Sequence, residues 1–189
     1  MTRLPDDSLA VLAGLFKEFP SEPFPIVHLV NSSDVPDAYK SLLDHEHHMT
    51  VTMESHHAES VRVRVLSEIS QNGCYSRILN LIGEKTGKIV LFGLMRVRME
   101  FLPPNVQGEI LARKEPLGRI LIRNEIMREI ELIKLLKIDA FPAREHWFHS
   151  NDQKPYYGRV ALIHCQGLPA IELFEVVSPS VYISLFNLS

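Results

Sequence analysis

The sequence predicts an α+β domain from three features. Apolar and polar residues alternate through several stretches of the middle and C-terminal thirds, glycine-bearing turns separate those stretches, and segments with helical spacing lead in and lie between them. The chain has 189 residues, 46% of them hydrophobic, enough to bury a core of its own. Residues 1–34 read as an N-terminal helix and proline-rich arm, and residues 35–189 as one globular unit.

Residues 7–16 place Leu9, Leu12, Leu15 and Phe16 on one helical face behind the capping candidates Asp6, Asp7 and Ser8. Residues 20–25 hold three prolines, which fix φ and remove backbone donors, so an extended arm that is mobile or draped is expected there. Residues 33–44 predict a second helix with Tyr39, Leu42 and Leu43 on its apolar side, running to about residue 47 and putting His45, His47 and His48 in its last turn. From Met49 the period shortens to two. Residues 49–54 and 60–68 alternate, with Val61, Val63 and Val65 on one face and Arg62, Arg64 and Leu66 on the other, predicting half-buried antiparallel strands.

Residues 75–82 and 89–101 flank a loop with glycine at both ends, Gly83 and Gly87, as in a hairpin, and Pro103-Pro104 ends the second arm. Residues 106–112 have helical spacing, and 115–122 follow with Pro116 suited to a first helical turn. Residues 126–138 fit a helix by Ile126, Ile130, Ile133 and Leu136 and a strand by their β-branched content, and both readings stay open. Residues 158–164 and 170–177 read as two strands joined through Gln166, Gly167, Leu168 and Pro169.

Composition narrows the function. Twenty Lys and Arg against 23 Asp and Glu leave a net charge of −3, which argues against a nucleic-acid partner held by a general positive field. The apolar run Ile89 to Met95 is far shorter than the roughly 20 residues of a membrane helix. Cys74 and Cys165 form no disulfide framework, and the N-terminus lacks the apolar stretch of a secretory signal, so a cytoplasmic location is expected.

Nine histidines suggest zinc, yet neither cysteine has a partner at metal spacing and no His-Glu-x-x-His is present, so no metal is expected. Arg77 stands in a strand of mostly apolar residues and needs an anionic partner, either a structural carboxylate or a ligand's. Glu172 and Glu175 face opposite sides of one strand, so one at most points into a pocket. Arg96, Arg98, Arg119 and Arg159 are further carboxylate partners, with salt bridging the expected role of each. Gly118 and Gly158 read as turn glycines or, near Leu117, as part of a helix start whose amides are free for an anion. There is no phosphate-binding glycine loop and no nucleophile elbow.

In order along the chain, His48-Met-Thr-Val-Thr52, Tyr75-Ser-Arg-Ile-Leu79, Phe92-Gly93, Pro116-Leu-Gly-Arg-Ile-Leu121, Tyr157-Gly-Arg159 and Glu175-Val-Val-Ser-Pro179 resemble the chorismate pyruvate-lyase family, in the branch found in bacteria and plastids. The resemblance runs from about Asp44 onward. It implies a highly twisted antiparallel sheet flanked by helices around a ligand pocket, a strand for residues 126–138, and a cofactor-independent carbon–oxygen lyase that converts chorismate to 4-hydroxybenzoate and pyruvate for ubiquinone or phenolic-lipid synthesis. It also implies roles: Arg77 binds a carboxylate, Glu175 faces the ring hydroxyl, and the backbone amides of Met49 and Leu117 hold the ring carboxylate. The implied partner is a small molecule, for a monomer or homodimer. The same fold serves as a non-catalytic aromatic-acid sensor in some bacterial repressors, and that is the alternative.

Overall fold

The computed structural model describes residues 7–139, 145–150 and 154–178. In chain order these form α1 (Asp7–Lys17), β1 (Val27–Val30), α2 (Asp37–Leu43), α3 (Met49–His57), β2 (Val61–Gln71), β3 (Cys74–Gly83), β4 (Ile89–Arg98), α4 (Pro104–Ala112), α5 (Leu117–Arg123), β5 (Arg128–Ile138), α6 (Glu145–Phe148), β6 (Tyr156–Cys165) and β7 (Leu168–Val177). All seven strands join one antiparallel sheet in the order β1-β5-β6-β7-β4-β3-β2. Two meanders, β2-β3-β4 and β5-β6-β7, thus lie side by side, and the connection carrying α4 and α5 crosses one face. Two turns show why the strands reverse where they do. Asn72-Gly73 and Gln166-Gly167 have positive φ at both residues, the twist a two-residue hairpin requires.

Apolar residues bury both faces, which is why β3, β4, β6 and β7 read as nearly continuous hydrophobic runs. On one face Tyr39, Leu43, Met53, Ile110 and Leu121 of the helices pack on Leu79, Leu91, Met95 and Ile163 of the sheet. On the other, Leu12, Leu15 and Phe16 of α1 and Trp147 of α6 pack on Phe92, Val160 and Phe174. Trp147 stacks on Phe92 with ring centroids 4.3 Å apart, and its indole N–H donates to Glu22 at 2.7 Å. The expected N-terminal helix is therefore part of a core. Arg96 also ties it to the sheet, donating to the Gly14 carbonyl at 3.5 Å and to Glu18 at 3.0 Å.

Residues 128–138 are a strand, paired with β1 on one side and β6 on the other. Four local expectations are corrected. Met49 to Glu54 alternate like a strand but form the first turns of α3, which buries Met49, Thr50 and Met53 and leaves Val51 exposed. Docking against α5 and the sheet overrides the period of two, since burial at positions one and five of a helix is as satisfying as burial at alternate positions of a strand. The second helix stops at Leu43 and does not reach His47. The carbonyls of His45 and His47 are taken by the Arg159 guanidinium at 2.8 and 3.1 Å, so the segment after Asp44 is held by the sheet in an irregular path. Pro116 sits just outside α5 as its cap residue, one position before the first turn. The strand from Ile89 ends at Arg98, and 99–101 form a short 3-10 turn.

Candidate functional site

A cavity with about 480 Å³ of space free of atoms, its mouth included, lies between the helical layer and the sheet. Of this, about 40 Å³ is open to the centre of a water-sized sphere. Its floor is apolar, built by Leu79, Leu91, Met95 and Leu173 from β3, β4 and β7, and its roof is the start of α3 and of α5, with His48, Met49, Thr50, Pro116, Leu117 and Gly118. Three charged side chains reach it: Arg77, Arg159 and Glu175.

Arg77 is fully buried, and among the described residues none of its three guanidinium nitrogens has an acceptor at ordinary hydrogen-bond distance. It faces inward because β3 alternates: Tyr75, Arg77, Leu79 and Leu81 share the face that packs on the helices. A guanidinium withdrawn from water without an acceptor is costly, and burial lowers its pKa; the Tyr75 hydroxyl nearby offsets this in part. Tyr75 in turn donates to Glu68 at 2.7 Å, and burial followed by that bond pushes its phenol pKa up, so it remains a donor at neutral pH.

Glu175 stands on β7 at the other side of the floor. Register sets Arg77 against Met95 and Glu175 against Gly93, so the two residues stand two strand spacings apart across β4, roughly 10 Å, and two positions apart along it. Arg159, directly opposite Glu175 on β6, donates to its carboxylate at 2.8 Å and spends its remaining nitrogens on the His45 and His47 carbonyls. Glu175 is thereby pinned at the cavity wall. Glu172, on the opposite face, pairs with Arg96 and Arg98 under α1.

The starts of α3 and α5 meet over the cavity at Gly118. A Cβ there would stand 3.0 Å from the His48 Cβ and from the Thr50 hydroxyl, so only glycine lets the two helices approach this closely. The first-turn amides of α3, Met49 and Thr50, are not consumed by the helix itself. His48 caps α3, and its Nε2 accepts from the Arg128 guanidinium at 2.6 Å. Burial, then the nearby Arg128, lowers its pKa to about 4, so the imidazole is neutral. His45 is likewise lowered to about 4 by burial and then by Arg159. Among the described residues no three His, Cys, Asp or Glu side chains converge on a metal-holding point, and no helix is long and apolar enough to cross a membrane.

The structure thus brings Arg77, Glu175, Met49 and Leu117, four positions spread over 127 residues, around one cavity. Arg96, Arg98, Arg119 and Arg159 all pair with carboxylates, Arg119 with Glu54 of α3. Sequence reasoning missed Arg128 and Glu68. Arg128 opens an ambiguous segment and carried no signal, whereas the alternation of β2 predicts Glu68 on the face away from Val61, Val63 and Val65. A bulge at Leu66 reverses that: Val65 pairs with Leu79, Ser67 with Ile78, and Glu68 comes to lie opposite Arg77.

No protein-family model matches the chain, and no curated protein matches it. Among solved structures it is similar to a GntR-family transcriptional regulator from Bacillus cereus, at 10% identity and a TM-score of 0.44, over 64% of this chain and 92% of that one. It is also similar to the C-terminal domain of Yurk from Bacillus subtilis, at 8% identity and a TM-score of 0.40, over 63% of this chain and 88% of that one. At such identities and TM-scores neither likeness bears on the chemistry of the cavity, which is read from its own residues.

Proposed function

We propose that the protein binds a small cyclic carboxylate in the Arg77 cavity and that, with chorismate there, it releases pyruvate and leaves 4-hydroxybenzoate. The observation that carries the reading is Arg77: a fully buried guanidinium with no acceptor among the described residues suits an anion, and a carboxylate fits its planar fork. Chorismate and 4-hydroxybenzoate carry a carboxylate and an oxygen function at opposite ends of one ring. A cation at one end of an apolar floor and a carboxylate, Glu175, at the other fit that pattern, and Met49 and Leu117, whose amides would hold the ring carboxylate, are among the residues of the roof.

The chemistry asks little of the protein beyond position. The ether bond to the ring breaks, the C4 hydrogen moves to the enolpyruvyl methylene carbon, which becomes the methyl of pyruvate, and the ring gains its aromatic sextet. No atom enters or leaves. The side chains therefore hold a reactive conformer over the ring and neutralise charge in a site from which water is displaced. Glu175, pinned by Arg159, accepts the ring hydroxyl and orients it.

The test is to incubate the purified protein with chorismate in buffer alone and follow 4-hydroxybenzoate and pyruvate by chromatography. Equal amounts of both, abolished by Arg77→Met, are expected. Intact chorismate together with saturable binding of 4-hydroxybenzoate would reduce the function to that of an aromatic-acid sensor, and neither turnover nor binding would refute the reading.

A further inference from the structure

Arg77 has an acidic neighbour that does not touch it. Glu68 is its direct partner across β2 and β3, and directly opposed residues hold their Cβ atoms about 4.5–5.5 Å apart, within reach of an Arg–Glu pair. The carboxylate is instead turned away. One oxygen accepts the Tyr75 hydroxyl at 2.7 Å, and the other takes the Arg113 guanidinium at 2.5 Å.

The bulge at Leu66 matters here, because in an unbroken register Ser67 would face Arg77 and Glu68 would lie on the other side of the sheet. Arg113 is also unusual. It ends α4 in the left-handed region at φ +58°, a position where glycine is the unstrained choice, and its side chain spans to β2.

Resting on the proposed carboxylate site, we infer that Glu68 is an internal competitor for Arg77, and that Tyr75 and Arg113 together hold it aside and so set how tightly the cavity takes a carboxylate. The Glu68–Arg113 pair is exposed, at 36% and 52%, and exposed pairs are weak. The Arg113 tether is weak and the Tyr75 hydrogen bond at 2.7 Å is the firmer one, and together they decide the distribution of Glu68 between its tethers and Arg77. In the tethered state the guanidinium keeps all its donors for the ligand. Once released, Glu68 would satisfy the buried cation from within and a ligand carboxylate would have to displace it. A neutral ligand gains nothing from either state, which makes the device selective for anions.

The test uses Tyr75→Phe and Arg113→Gly, the second chosen because glycine relieves the left-handed backbone while removing the tether. Titration with 4-hydroxybenzoate should show the double variant binding roughly tenfold more weakly than the parent protein, and adding Glu68→Gln should bring affinity back to within about twofold. A loss that Glu68→Gln does not rescue, or no loss, would overturn the inference. A crystal structure of the ligand-free double variant gives a readout independent of binding: the Glu68 carboxylate bonded to the Arg77 guanidinium is expected, and Glu68 still turned to solvent would refute it. Should the parent protein fail to bind 4-hydroxybenzoate at all, the proposed function falls while that structure still decides the fate of Glu68.

Discussion

Arg77→Met should stabilise the empty protein and destroy its grip on a carboxylate, two effects of opposite sign from one substitution. The guanidinium is fully buried and donates to no acceptor among the described residues, so the folded state bears its desolvation with only the Tyr75 hydroxyl and the unbonded Glu68 carboxylate in compensation. Methionine has similar reach and suits a floor of Leu79, Met95 and Leu173. By analogy with buried charges exchanged for apolar side chains, the gain in unfolding free energy should be about 1–4 kcal/mol. Losing a buried charge contact to ligand should cost about 2–5 kcal/mol of binding, or roughly thirty-fold to a few thousand-fold in affinity. Urea unfolding without ligand reads the first effect and calorimetric titration with 4-hydroxybenzoate the second. Unfolding in saturating ligand joins them, because the parent protein should gain stability there and the variant should not. A variant that is less stable when empty and binds unchanged would show that Arg77 is a structural arginine and would refute the reasoning about the cavity.

Three other outcomes are expected. His48→Gln keeps an acceptor for Arg128 but cannot titrate: folded His48 holds a proton only below about 4, an unfolded histidine below about 6.5, so the unfolded chain binds more protons between those values and stability falls as pH drops through the window. The substitution should remove about 3 kcal/mol of that fall, seen in urea midpoints from pH 7 to 4. Gly118→Ala places a Cβ 3.0 Å from His48 and Thr50 and should push α5 off α3, costing about 1–3 kcal/mol and weakening 4-hydroxybenzoate binding more than Leu111→Ala on the exposed side of α4. Leu15→Ala, at a position only 1% exposed, should cost about 2–5 kcal/mol in thermal or urea unfolding, showing that α1 belongs to the core rather than to a loose arm.

Much of this molecule is written in local patterns. The alternation after Ser60, the glycine-ended loop before Lys88, and the paired strands around Gln166-Gly167 were legible because a strand half or wholly buried in a sheet imposes its period on the residues themselves. Arg77 was legible for a related reason, since a charge on a core-facing strand position is rare enough to demand a partner, whereas period alone left Glu172 and Glu175 open and only the resemblance singled out Glu175.

Other features depend on contacts between distant segments, and no local pattern carries them. Met49 to Glu54 alternate like a strand yet coil into a helix because α5 and the sheet reward burial of Met49 and Met53. The His-rich segment leaves the helix because Arg159, more than a hundred residues away, takes its carbonyls. The bulge that sets Glu68 against Arg77 is one extra residue, invisible until β2 is laid beside β3. By itself the sequence determined the α+β class, most of the antiparallel strands and the inward arginine, with one of Glu172 and Glu175 left to choose. Only the tertiary structure decided which arginine is spent on structure and which is left bare, since a salt bridge depends on distance in space and residue type records only the capacity to form one.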